Sequence, residues 1–131
     1  MKKILLIESN LNILENFKEY FEIEGFQIIS ANSGSAGIAM ARECKPDLII
    51  CEIMMLGMDG YEVLRLLLDR SASHPVTHNI PFIFCTTKCE IIDRIKALKL
   101  GADDYVVKPV DMEFLNIMAN SWIQSGSKRL N

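Results

Sequence analysis

Five short apolar runs, at 3–7, 27–31, 47–51, 81–85 and 105–107, constrain this chain more than any other feature. Most are continuously apolar and do not alternate with polar residues. A strand with one wet face alternates. A continuous run needs both faces buried, the pattern of parallel strands in a sheet covered by helices on both sides.

The segments between the runs have helical period. Leu14, Phe17 and Phe21 fall at i, i+3 and i+7, with Glu15, Lys18, Glu19 and Glu22 around them and Gly25 as the stop. Ser33 is a fitting N-cap for a small-residue helix carrying Ala36, Ala39, Met40 and Cys44, which ends before Pro46. Asp59-Gly60 opens a third helix that buries Val63, Leu64, Leu67 and Leu68. A fourth carries Ile91, Ile92, Ile95 and Leu98 as its apolar stripe and stops at Gly101. Asp111 caps a fifth that reaches about Ile123. Strand then helix, five times over with short connections, predicts an α/β fold with a five-stranded parallel sheet. The longest connection, 71–79, is rich in Ser, His, Pro and Asn. One domain is expected over 1–124, followed by a polar tail at 125–131 that frays.

At 131 residues the chain has the length of one domain. A net charge of −3 gives no basic patch for nucleic acid. Lys2 and Lys3 precede four apolar residues, but Glu8 ends that run well short of a signal segment, and no stretch is long enough to span a bilayer. A cytoplasmic protein without membrane contact is therefore expected. Cys44, Cys51, Cys85 and Cys89 do not form a dense framework, and free thiols are expected there. His74 and His78 are four apart, but Pro75 between them argues for a loop and not for a metal pair.

In an open parallel sheet the chemistry gathers at the carboxyl ends of the strands. Those ends carry Glu8-Ser9-Asn10, Glu52, Thr86-Thr87-Lys88 and Lys108-Pro109. Acid, hydroxyl and lysine from four strands would meet on one rim. A nucleotide-binding enzyme on a flavodoxin-like fold is the rival from another class. It would need a glycine-rich phosphate loop after the first strand, where this chain has Glu8-Ser9-Asn10-Leu11-Asn12. No enzyme activity is expected.

Four segments carry a resemblance: Lys3-Ile4-Leu5-Leu6-Ile7, Pro46-Asp47-Leu48-Ile49-Ile50, Met54-Met55-Leu56-Gly57-Met58-Asp59-Gly60, and Gly101-Ala102-Asp103-Asp104-Tyr105-Val106-Val107-Lys108-Pro109. In order and spacing they resemble receiver domains of two-component response regulators, over nearly the whole chain. The resemblance implies a doubly wound, flavodoxin-like sheet of order 2-1-3-4-5 with five helices. It also implies a role in phosphorelay signalling. Glu52 falls at the phosphoacceptor, where the family has aspartate. Glu8 and Ser9 fall at the pair of acids after the first strand, so one magnesium-binding carboxylate becomes a neutral hydroxyl. A metal there would draw on Glu8, Glu52 and the Met54 backbone carbonyl. Thr86 matches the switch hydroxyl, Tyr105 the switch aromatic and Lys108 the lysine that pairs with the phosphoryl group. Leu56 and Val110 stand where the family usually has proline and phenylalanine.

The departures bear on chemistry. Phosphotransfer needs reacting atoms within about 3–3.5 Å, and a misplacement of about 1 Å can cost a hundredfold. Glutamate is longer than aspartate by one carbon–carbon bond, ~1.5 Å. Magnesium is usually held through one or two protein carboxylates, and Ser9 supplies none. Weak magnesium binding and little phosphorylation of Glu52 are expected, a degenerate receiver.

Two readings follow. In one, the domain is a phosphorylation-independent regulator that binds a protein partner, a histidine kinase or an output protein, through its fourth helix, fifth strand and fifth helix. The fifth helix is apolar over more than one stripe through Phe114, Leu115, Ile117, Met118, Ala119 and Trp122, which suits an exposed patch and a homodimer. In the other, Glu52 mimics the phosphorylated state by reaching Lys108 and Thr86.

Overall fold

The computed structural model describes residues 1–71 and 76–129. Five strands alternate with five helices: β1 (Lys3–Ile7), α1 (Leu11–Ile23), β2 (Gln27–Ala31), α2 (Gly34–Cys44), β3 (Leu48–Cys51), α3 (Gly60–Leu68), β4 (Phe82–Thr86), α4 (Ile91–Leu100), β5 (Asp104–Val107) and α5 (Met112–Ser125). The sheet is parallel with order β2-β1-β3-β4-β5, as the resemblance implied.

Alternation along each strand explains the continuous apolar runs. Leu5, Ile7, Ile49, Cys51, Phe82, Phe84 and Tyr105 face one layer with residues of α2, α3 and α4. Ile4, Leu6, Leu48, Ile50, Ile83, Cys85 and Val106 face the other, against Leu14 and Phe21 of α1 and Leu115 and Ala119 of α5. Successive side chains point to opposite faces, so a strand buried on both sides must be apolar throughout. Cys51 and Cys85 thus lie in opposite layers, and all four cysteines are free.

The caps fall where the polar residues foretold. Ser33 Oγ accepts from the Ala36 amide, Asp59 Oδ1 from Glu62, and Asp111 Oδ1 from Glu113 and Phe114. Asn10, read above as a rim residue, caps α1 through the amides of Asn12 and Ile13. Strand β3 starts one residue later than expected, and the Asp47 carboxylate just before it accepts from the Lys3 amide at 2.8 Å.

Two expectations are corrected. The apolar stripe of α4 does not face the sheet: Ile91 is 76%, Ile92 65%, Ile95 42% and Leu98 44% exposed, and Ala97 is the buried residue of that helix. Phe82, Phe84 and Tyr105 already fill the layer beneath α4, leaving room for a small residue. Nor does the tail fray at 126–129. Arg129 Nη1 pairs with Asp103 Oδ2 at 2.6 Å, its Nη2 donates to the carbonyls of His78 and Ile80, and Ser127 Oγ donates to Asp103 Oδ1 at 2.9 Å. These bonds tie the chain leaving α5 to the loops entering β4 and β5. His78 lies in a turn and its carbonyl serves this strap; His74 and Pro75 lie outside the described residues.

Candidate functional site

The switch point of the sheet lies between β1 and β3, whose neighbours run outward in opposite directions. Ile7 pairs with Cys51, so the next residues, Glu8 and Glu52, emerge side by side at the rim. The Glu52 amide donates to the Ile7 carbonyl at 2.9 Å. Both carboxylates are largely buried, Glu8 8% and Glu52 6% exposed.

Lys108 completes the cluster. It follows β5, where the Lys108 amide donates to the Thr86 carbonyl at 2.8 Å, and its side chain crosses the end of β4. Its Nζ donates to Glu52 Oε1 at 2.8 Å and also to Glu8 Oε1. The second oxygens are engaged as well. Glu52 Oε2 accepts from the amides of Ile53 at 2.6 Å and Met54 at 3.2 Å, and Glu8 Oε2 accepts from Asn10 at 3.0 Å. Every oxygen of the two carboxylates has a donor. Burial works against the Lys108 ammonium, but the hydrogen bonds and charges of Glu52 and Glu8 outweigh it and hold its pKa above the ordinary lysine value.

Strand parity explains this grouping. Glu8, Glu52 and Lys108 each sit two residues past a side chain of the α1–α5 layer, namely Leu6, Ile50 and Val106. Thr86 and Tyr105 have the other parity. Thr86 is fully buried, its Oγ1 accepts from the Lys88 amide at 3.3 Å, and it makes no hydrogen bond to Glu52. The Tyr105 ring is buried edge-on against Phe84, its hydroxyl donating to the Lys88 carbonyl at 2.6 Å, with the Arg94 guanidinium 5.9 Å from the ring centre. Burial, then the neighbouring Tyr61 and the charges of Asp93 and Glu52, push its pKa up to about 12, so the hydroxyl remains a donor at ordinary pH.

Ser9 is exposed. Among the described residues no group of three or more His, Cys, Asp or Glu side chains is arranged to hold a metal ion. Each oxygen of the two remaining carboxylates accepts from a donor of the protein, and Ser9 stands where the family pattern has a further acid.

Residues 4–120 match the response regulator receiver domain family. The chain belongs to that family. It is 34% identical over 128 residues to the transcriptional regulatory protein AfsQ1 of Streptomyces coelicolor, covering 98% of this chain and 54% of that protein. It is 34% identical over 115 residues to protein PilH of Pseudomonas aeruginosa, covering 88% of this chain and 92% of PilH. Against several curated relatives, AfsQ1 among them, the chain spans about half their length. Among solved structures, the receiver domain of Francisella response regulator 1452 superposes with a TM-score of 0.86 at 26% identity, over 95% of this chain and 98% of that one. A receiver domain from Clostridium thermocellum gives 0.84 at 30% identity, over 95% and 96%.

Receiver domains are signalling modules of two-component systems that work with histidine kinases and output domains, and they generally bind magnesium at the phosphorylation site. None of the described helices is long and apolar enough to cross a membrane. The pairing of Lys108 with Glu8 was missed in the sequence, although strand parity carries it. The Lys88 carbonyl that anchors Tyr105 was missed too, and a backbone acceptor leaves no mark in the sequence.

Proposed function

We propose that this receiver signals by protein contact in the cytoplasm, without phosphotransfer. The observation that carries the reading is the engagement of Glu52. One oxygen is held by the Lys108 ammonium and the other by two backbone amides, so the longer Glu52 side chain is fixed against the protein in place of an incoming phosphoryl group. Ser9 deprives the pocket of the charge that a magnesium-bound phosphoryl group needs.

The contact surface is the face of α4, β5 and α5. Ile91, Ile95 and Leu98 of α4 are exposed, and Phe114 and Ile117 of α5 are 54% and 62% exposed. Apolar residues exposed together in this way favour a protein partner: a histidine kinase, an output protein, or a second copy of this chain. Trp122 packs deeper than the rest, its Nε1 donating to Asp104 Oδ2 at 2.9 Å. The test is intact mass after incubation with magnesium and a small phosphodonor. No gain of phosphoryl mass is expected. A gain that disappears in Glu52→Gln overturns the reading.

A second reading is favoured by one contact, the 2.8 Å bond from Lys108 to Glu52, which a phosphate mimic would make. The inward Tyr105 suits it, and the missing bond from Thr86 to Glu52 counts against it. Self-association of Glu52→Gln separates the two. It is unchanged if contact alone matters and weakened if Glu52 holds an active-like form.

A further inference from the structure

Glu8 Oε1 and Glu52 Oε1 converge on one atom, the Nζ of Lys108, whose side chain is 9% exposed. In a receiver with the usual acids, that convergence of carboxylates is where a divalent ion is drawn. The family's lysine stands beside that ion too; here, with Ser9 in place of one acid, the ammonium alone meets the need. It supplies one positive charge, it donates to both acids, and the remaining oxygens are satisfied by the Asn10, Ile53 and Met54 amides.

We infer that the Lys108 ammonium is the resident cation of this pocket and closes it to divalent metal. This deepens the contact-only reading and rests on it for its meaning, though its test is separate. The charge balance supplies the argument. Two carboxylates and one ammonium leave a single negative charge; adding a divalent ion beside the ammonium would leave a net positive charge in a buried site. Without a third acid to offset it, the ion would also sit close to a like charge in a low-dielectric rim, where repulsion is strong. Geometry agrees. Magnesium needs oxygens at about 2.0–2.1 Å in near-octahedral array. The carboxylates are instead spaced for an N–H donor, with Nζ 2.8 Å from Glu52. Glu8 and Glu52 are thus a latent site, masked by one side chain. Removing the ammonium leaves two unneutralised acids, which one divalent ion balances in full.

The experiment is a manganese titration of the nitrogen-15-labelled chain, read by paramagnetic broadening of amide signals. In the wild type, the Asn10, Ile53 and Met54 amides should broaden no more than the amides beside exposed carboxylates such as Glu15. In Lys108→Met the same three amides should broaden selectively at substoichiometric manganese, recover on chelation, and compete with magnesium. Lys108→Gln, a neutral side chain of similar shape, should behave like Lys108→Met if the latter folds poorly. Selective broadening in the wild type overturns the inference whether or not either variant folds. A folded Lys108→Met or Lys108→Gln that shows no selective broadening overturns it as well. A phosphoryl mass gain with a silent titration would sink the contact-only reading and leave this inference standing; selective broadening without mass gain does the reverse.

Discussion

Lys108 Nζ lies 2.8 Å from Glu52 Oε1, although 56 residues separate them and the whole of β4 intervenes. The bond joins the end of the sheet's edge strand to its switch point. With the second bond to Glu8, it makes Lys108 the cross-brace of the rim.

Lys108→Ala should therefore unfold more easily than the wild type by about 3–5 kcal/mol, because it leaves two buried carboxylates without their counter-ion. Urea denaturation with an unchanged m-value checks this. A loss below about 1 kcal/mol would mean that solvent already screens the cluster.

The same cluster predicts an alkaline limit. The folded pKa of Lys108 is raised, so its stabilising contribution is complete below the unfolded lysine value of about 10.4 and is lost as pH climbs through the folded value. Tyr105 acts in the same direction. Its pKa is pushed up to about 12 by burial, so stability falls as pH rises from the ordinary tyrosine value of about 10 towards 12. Spectrophotometric titration should show a late phenol that is absent in Tyr105→Phe. Stability that stays flat from pH 9 to the alkaline unfolding limit, ~12, would contradict both assignments.

Much of this could be read in the sequence, and the exceptions have physical causes. The five runs gave the sheet because burial on both faces leaves a continuous apolar signature, and Ser33, Asp59 and Asp111 marked the helix starts because their side-chain oxygens serve the first free amides. The rim acids and Lys108 were visible one by one, and strand parity would have joined them. The orientation of α4 was not visible. A stripe of Ile91, Ile95 and Leu98 has the same period whether it covers a sheet or awaits a partner. The decision lay with Phe82, Phe84 and Tyr105 filling the space below. The strap was equally hidden, since nothing in the sequence joins Arg129 to Asp103, 26 residues away.

That strap gives a further prediction. The Asp103 carboxylate is 1% exposed, and Arg129 is its charged partner. Arg129→Ala should cost about 3 kcal/mol, at the low end for a broken buried pair, because Asp103 keeps the Phe82 amide and Ser127 as donors. Thermal melting checks it, and unchanged melting would mean that the segment is only loosely held.

The exposed face predicts a separation of stability from assembly. Ile91→Glu and Ile117→Glu alter side chains that are 76% and 62% exposed, so each should change folding stability by no more than about 0.5 kcal/mol. Both should weaken self-association measured by sedimentation. Weight-average mass that is the same in wild type and both variants would remove α4 and α5 as a surface for self-association.

Under the proposed function, Glu52, held by Lys108 and two amides in a pocket with Ser9 at the second acid position, does not accept phosphate. The most direct test of that claim is intact mass after treatment with magnesium and a small phosphodonor. The wild-type chain should gain nothing, while the double variant Ser9→Asp, Glu52→Asp should gain one phosphoryl group. A wild-type chain that gains the same mass, and loses it in Glu52→Gln, would contradict the account.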